Sequence, residues 1–169
     1  MEKQHAPAAD RVVVRLELGT GAGRIRVERS GAAADYPLLV GTAAVSALWL
    51  REPPNEGELE AANDLVEEAV VPLAKAIPGR AVLVAGDEMA RMLVGVSTGC
   101  DASQAASLDA VEARFGQLAL AAQRGAWTRE DRMDPSTSAG LLILRELMHH
   151  AGFERIELRA ADDALAGFR

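Results

Sequence analysis

The chain has 169 residues, 49% hydrophobic and 25% charged, the balance of one soluble globular domain with a proper core. Its formal charge of −7, from 25 acidic and 18 basic side chains, argues against a broad nucleic-acid or membrane surface, because phosphates need a basic face. The one cysteine, Cys100, has no mate for an internal disulfide, which fits a reduced, cytoplasmic setting. No stretch reaches the ~18 uninterrupted apolar residues of a membrane helix. Residues 1–10 are polar and lack the apolar region of a signal peptide.

In chain order, residues 1–10 read as a flexible tail and 11–169 as a single domain. Residues 11–18 predict a strand whose run Val12-Val13-Val14 suggests burial on both faces. A glycine-rich turn follows, Gly19-Thr20-Gly21-Ala22-Gly23, and then an alternating strand over 23–29, so the pair reads as a β-hairpin. Glycines there can take φ > 0 and let a ligand approach the backbone. Successive N–H groups in such a turn can point at one anion. Ser30-Gly31 turns the chain into a third strand over 35–40, with Pro37 marking an edge or a bulge.

Residues 41–50 read as a short helix or turn with Val45, Leu48 and Trp49 facing inwards. Asn55 and Glu58 form a capping-box start for a long helix that Pro72 should kink and Pro78-Gly79 stop. Residues 80–85 predict a short strand. Asp87 is placed to cap a helix reaching about residue 94. Helices are expected over 103–124 and from Pro135 to about residue 150, with Ala151-Gly152 closing the second. A last strand over 154–158 and a helical turn over 162–168 complete the chain. Three antiparallel strands followed by strand–helix alternation make an α/β mixed sheet with helices on both faces, the ribonuclease-H-like plan of the actin-like ATPases.

Several stretches, in this order, resemble the exopolyphosphatase / guanosine pentaphosphate phosphohydrolase (Ppx/GppA) family. The family's D-I-G-G-G-S-T-E looks like Glu17-Leu18-Gly19-Thr20-Gly21-Ala22-Gly23-Arg24. Its L-P-L-G-A-V-R-L-T-E segment is similar to the stretch from Tyr36 to Val45, and its G-V-G-G-T turn to Val82–Ala85 with Gly86 and Asp87. A later family pattern matches Asp131-Arg132-Met133-Asp134 onwards, and its closing segment matches residues 154–168. The resemblance covers roughly residues 11–168 and only the second of the family's two lobes.

The resemblance implies a phosphate site at Gly19, Thr20, Gly21, Ala22, Gly23, Arg24, Gly86 and Asp87. Glu17 then stands at the acid position, as catalytic residue and Mg²⁺ ligand. The chemistry is altered. The family's acid is Glu17, its middle glycine Thr20, its phosphate-touching serine Ala22, its later glutamate Arg24, and its second-turn threonine Asp87. The implied function is a degenerate phosphatase-like domain that binds a phosphate compound or nucleotide, or regulates, without a full catalytic site. The alternative is an active phosphoanhydride hydrolase whose cleft is completed by a homodimer or by a separate first-lobe protein.

Other candidates come from the residues alone. Glu146 with His149, one turn apart, reads as a metal pair, or His149 and His150 as cations at a helix C-terminus. Asp131, Asp134 and Asp87 read as acid–base carboxylates, or as a salt-bridge and cap cluster with Arg132. Ser97-Thr98-Gly99 and Ser136-Thr137-Ser138 offer hydroxyls, with no His placed to make a triad and helix caps as the alternative.

Overall fold

Strand β1 (Val13–Leu18) buries Val14, Leu16 and Leu18 on one face and leaves Val13, Arg15 and Glu17 half-buried on the other. It is central to the molecule, for which a computed structural model describes residues 12–85 and 105–158. β1 pairs antiparallel with β2 (Gly23–Arg29) and parallel with β4 (Val82–Ala85). β3 (Ala32–Leu38) lies antiparallel to β2. Ser30 and Gly31, with φ of 44° and 84°, form the two-residue turn that matches the twist of paired strands. That tight turn places Ala32 opposite Arg29, so the third strand covers Ala32–Leu38 and not the expected 35–40. β3 is the sheet edge, where Pro37 removes no ladder bond the fold needs.

Beyond β3 the chain forms α1 (Thr42–Ser46), shorter than the expected 41–50. α2 (Glu56–Ala74) starts with the predicted capping box: Glu58 N–H donates to Asn55 Oδ1 at 2.8 Å and Asn55 N–H to Glu58 Oε2 at 3.0 Å. Pro72 sits in its last turn.

Of the expected helix over 103–124, the described residues 105–124 form a strand followed by a helix. β5 (Ala105–Ser107) pairs antiparallel with the last strand, and Ser107 caps α3 (Leu108–Arg124). Ala-Ala-Ser has no strand propensity, and pairing with the neighbouring strand makes it extended. α4 (Pro135–Ala151) has Asp134 as N-cap, proline in its first turn and left-handed Gly152 as C-cap. β6 (Arg155–Leu158) closes the six-stranded sheet, whose order is β3-β2-β1-β4-β6-β5. The predicted cap at Asp87, the loop and hydroxyls at 97–102, Cys100, the tail and the terminal turn lie outside the described residues.

α4 packs against α1, α2 and α3. Its run Leu141-Leu142-Ile143-Leu144 and Leu147-Met148 is buried in one core with Leu16, Ile25, Leu38 and Leu83. Each such side chain contributes about 2 kcal/mol on burial. Leu83 and Val84, neighbours pointing to opposite faces of β4, are both fully buried, so the middle of the sheet is covered on both sides. The β1–β3 end is different. Its outer face carries Glu17, Arg24, Arg26, Glu28 and Asp35, joined by Arg26–Glu28 at 3.2 Å and Arg26–Asp35 at 3.3 Å.

Candidate functional site

The glycine turn is held by the segment after β3. Thr42 N–H donates to Gly19 C=O at 3.2 Å, and Ala43 N–H to Thr20 C=O at 2.9 Å. The first N–H groups of α1 are therefore satisfied by the turn's carbonyls. Gly19 N–H closes the turn on Ala22 C=O at 3.0 Å. None of Gly19, Gly21 and Gly23 has a left-handed φ; among the described residues the glycines that do are Gly31, Gly125 and Gly152. The need for glycine is closeness. A Cβ on Gly19 would lie 2.7 Å from Ala22 O, and one on Gly23 would lie 2.9 Å from Glu17 O. Gly21 is different: nothing lies within 4 Å of its Cβ position, and Thr20, Gly21 and Ala22 are exposed. The turn thus presents open backbone with no side-chain hydroxyl at Ala22.

Glu17 stands opposite Arg24 in the ladder. Arg24 Nε donates to Glu17 Oε2 at 3.1 Å, and Arg24 Nη2 makes a second bond to the same oxygen. That hydrogen bond, and then the negative charge of Glu17, hold the Arg24 guanidinium above its ordinary pKa. Arg24 Nε also lies 4.0 Å from Asp35 Oδ1. Arg24 therefore answers the acids on the outer sheet face. Mg²⁺ takes near-octahedral oxygen ligands and usually one or two carboxylates. Among the described residues of the turn the carboxylate is Glu17, already engaged by Arg24, so these residues do not by themselves fit a Mg²⁺ site. Gly86 and Asp87 lie outside the described residues.

The other acids separate. Asp131 accepts from Thr128 N–H at 2.6 Å and from Arg124 Nη2 at 2.5 Å, so its cation is Arg124 and not Arg132. Asp134 caps α4 through Thr137 N–H at 2.9 Å. Ser136 Oγ donates to Thr42 Oγ1 at 3.2 Å and ties the start of α4 to α1. The two α4 histidines sit at the far end of the helix, roughly 20 Å away by helical rise.

At that far end, Glu146 is buried and bound by Arg145. Arg145 Nε also donates to Glu112 at 2.9 Å, and its guanidinium carbon lies 4.4 Å from the Phe115 ring centroid. His149 turns to Glu112 instead of Glu146. The group near Glu146 is His150, with Nε2 3.5 Å from Glu146 Oε2 and 4.0 Å from Glu67 Oε1. These three offer ligand atoms within 4.8 Å of one another. Glu67, Glu112 and Arg145 carry no motif. Only the helix packing brings them together.

Burial pushes the carboxyls of Glu112, Asp131 and Asp134 up, but hydrogen bonds outweigh it and hold all three below their ordinary values of 4.5, 3.8 and 3.8. For Glu112 the bonds come from His149 and Arg145, for Asp131 from Thr128 and Arg124, and for Asp134 from Thr137. A depressed carboxyl stabilises the fold above its unfolded pKa, and that stability is lost as pH falls through the folded value. Unfolding midpoints in urea should therefore be flat above about pH 5 and fall steadily below about pH 4. A midpoint that rises on acidification would contradict these bonds.

No protein-family model matches the sequence, and no curated protein matches it. Solved structures do. A PPX-GPPA enzyme of Aquifex aeolicus superposes with a TM-score of 0.70 at 14% identity, covering 91% of this chain and 55% of that one. The chain has the fold of one Ppx/GppA lobe. An exopolyphosphatase of Cytophaga hutchinsonii matches with a TM-score of 0.64 at 15% identity, covering 93% and 55%. Another structure of the Aquifex aeolicus family member gives 0.69 at 12% identity, covering 96% and 59%. The lobe thus spans little more than half the length of the structures it matches. No described helix is long and apolar enough to cross a membrane.

Proposed function

We propose that this Ppx/GppA-like lobe binds a phosphate compound or nucleotide at the Gly19–Gly23 turn, as a binding or regulatory module without a full catalytic site. One observation carries the reading. The turn keeps an open, exposed backbone at Thr20–Ala22, whereas the acid beside it, Glu17, is engaged by Arg24. Open backbone in such a turn suits an anion. A neutralised carboxylate does not suit a water-activating base. The span of the matched structures supports a second body over this turn, either another copy of the chain or a separate protein carrying the other lobe. Light scattering that shows a strict monomer at high concentration counts against the second copy.

A thermal-shift screen tests the reading, with phosphate, polyphosphate, ATP, GTP and guanosine tetra- and pentaphosphate, each with and without Mg²⁺. A ligand at about 100 times its Kd adds about 2.7 kcal/mol, which raises Tm by roughly 5–10 °C at this size. The shift should shrink in Gly21→Val, where the new side chain occupies the open space, and no phosphate should be released. No shift with any compound sinks the reading. Mg²⁺-dependent phosphate release that is lost in Glu17→Ala replaces it with an active hydrolase.

A further inference from the structure

The C-terminal end of α4 carries a cluster that the glycine turn does not use. Glu146 and His150 stand four residues apart on one face of α4. Glu67 reaches them from α2, which packs against α4. One ligand atom from each of the three lies within 4.8 Å of the other two. The distances argue against a plain ion-pair cluster. An imidazolium bonded to a carboxylate closes to about 2.7–2.9 Å. His150 Nε2 instead stays 3.5 Å from Glu146 Oε2 and 4.0 Å from Glu67 Oε1. Zinc binds nitrogen and oxygen tetrahedrally at about 2.0–2.2 Å, so its ligand atoms stand roughly 3.3–3.6 Å from one another. The 3.5 Å separation fits that edge. The Glu67 side chain is 44% exposed, and its rotatable stem can close the remaining gap.

The surroundings suit such an ion. The Glu146 side chain is 4% exposed, so its charge needs a compensating cation. Arg145 takes Oε1, which leaves Oε2 turned towards His150. Glu67 Oε1 accepts from Asn63 Nδ2 at 3.0 Å. Each carboxylate is thus already oriented by a hydrogen bond, as ligating carboxylates are in metal sites. Glu67, Glu112 and Glu146 bring three negative charges to this end of the helices, and Arg145 brings one positive charge. Mg²⁺ and Ca²⁺ prefer oxygen ligands throughout, whereas one imidazole with two carboxylates suits Zn²⁺. The exposed side of Glu67 gives the ion an entry path and a water its fourth position.

We propose that Glu67, Glu146 and His150 bind a zinc ion that clamps α2 to α4. The site is at the opposite end of α4 from the Ser136 contact with α1, and it does not depend on the glycine turn binding phosphate. Equilibrium dialysis of the full chain, first freed of metal with EDTA, tests it with ZnCl₂ as the probe. One zinc per chain should bind with a Kd of about 10 µM or tighter. Glu67→Gln and His150→Gln should each weaken zinc by at least about tenfold, the loss that even an outer-shell partner causes. His149→Gln should bind zinc as the parent does, because that ring faces Glu112. Zinc held by other groups, Cys100 or His5 among them, would be insensitive to Glu67→Gln and His150→Gln. Zinc at about 100 µM should also raise the Tm of the parent by a few degrees and those of the two variants much less. No zinc bound at about 100 µM, ten times the expected Kd, overturns the proposal. So does undiminished affinity in either Glu67→Gln or His150→Gln, and so does an equal loss in His149→Gln, which would move the ion to Glu112.

Discussion

Gly41→Ala lowers the unfolding free energy by about 3 kcal/mol, the upper part of the range for overpacking a tight site. At this chain length that is a drop in Tm of roughly 6–12 °C. Gly41 is the N-cap of α1, and its φ of −128° is open to any residue, so backbone strain plays no part. The cause is the approach of two backbones. A Cβ would stand 2.6 Å from Gly21 C and 2.7 Å from Ala22 N, and it would also press on Thr20 O. None of these atoms is the end of a flexible side chain. Relief would require separating the turn from α1 and breaking the bonds from Thr42 and Ala43 to Gly19 and Thr20. Gly21→Ala is the matched control, because its Cβ meets nothing within 4 Å. It should stay within about 0.5 kcal/mol of the parent. Equal urea midpoints for the two variants would show that α1 does not clamp the turn.

Arg145→Met costs about 3 kcal/mol, the lower end of what removing one partner of a buried ion pair does. Arg145 serves Glu112 and Glu146 at once and lies over the Phe115 ring. The Glu146 side chain is 4% exposed, so without Arg145 its charge is left in a poor solvent. Methionine keeps the contact with Phe115, so most of the loss is electrostatic. Adding Glu146→Gln to Arg145→Met should therefore recover at least about 1 kcal/mol, although each substitution alone destabilises. Additive losses would mean that the pair is not coupled and that packing, not charge, sets the cost.

Much of this architecture is legible in the residues. Alternation in 23–29, Asn55 with Glu58, Pro135 after Asp134, and Gly152 are local signals, and each element they announce is present. Their order points to the ribonuclease-H-like sheet, the motif resemblances point to a Ppx/GppA lobe, and the solved structures share that fold. Such signals act within a few residues, so one sequence displays them. Other features depended on how the elements pair and pack. Ala105–Ser107 is a strand because β6 lies beside it, whatever alanine prefers. Glu17 and Arg24 are readable as a hairpin pair, but that they bind each other follows from the ladder register and the shared outer face. Arg145 with Glu112, and Trp49 with Trp127 and Ser138, meet only when α1, α3 and α4 pack together. Spacing along a chain says nothing about such meetings, because helix packing brings together positions that have no periodic relation. The sequence by itself therefore determined most of the elements and their order, and the tertiary structure alone decided which charges are neutralised and which distant side chains meet.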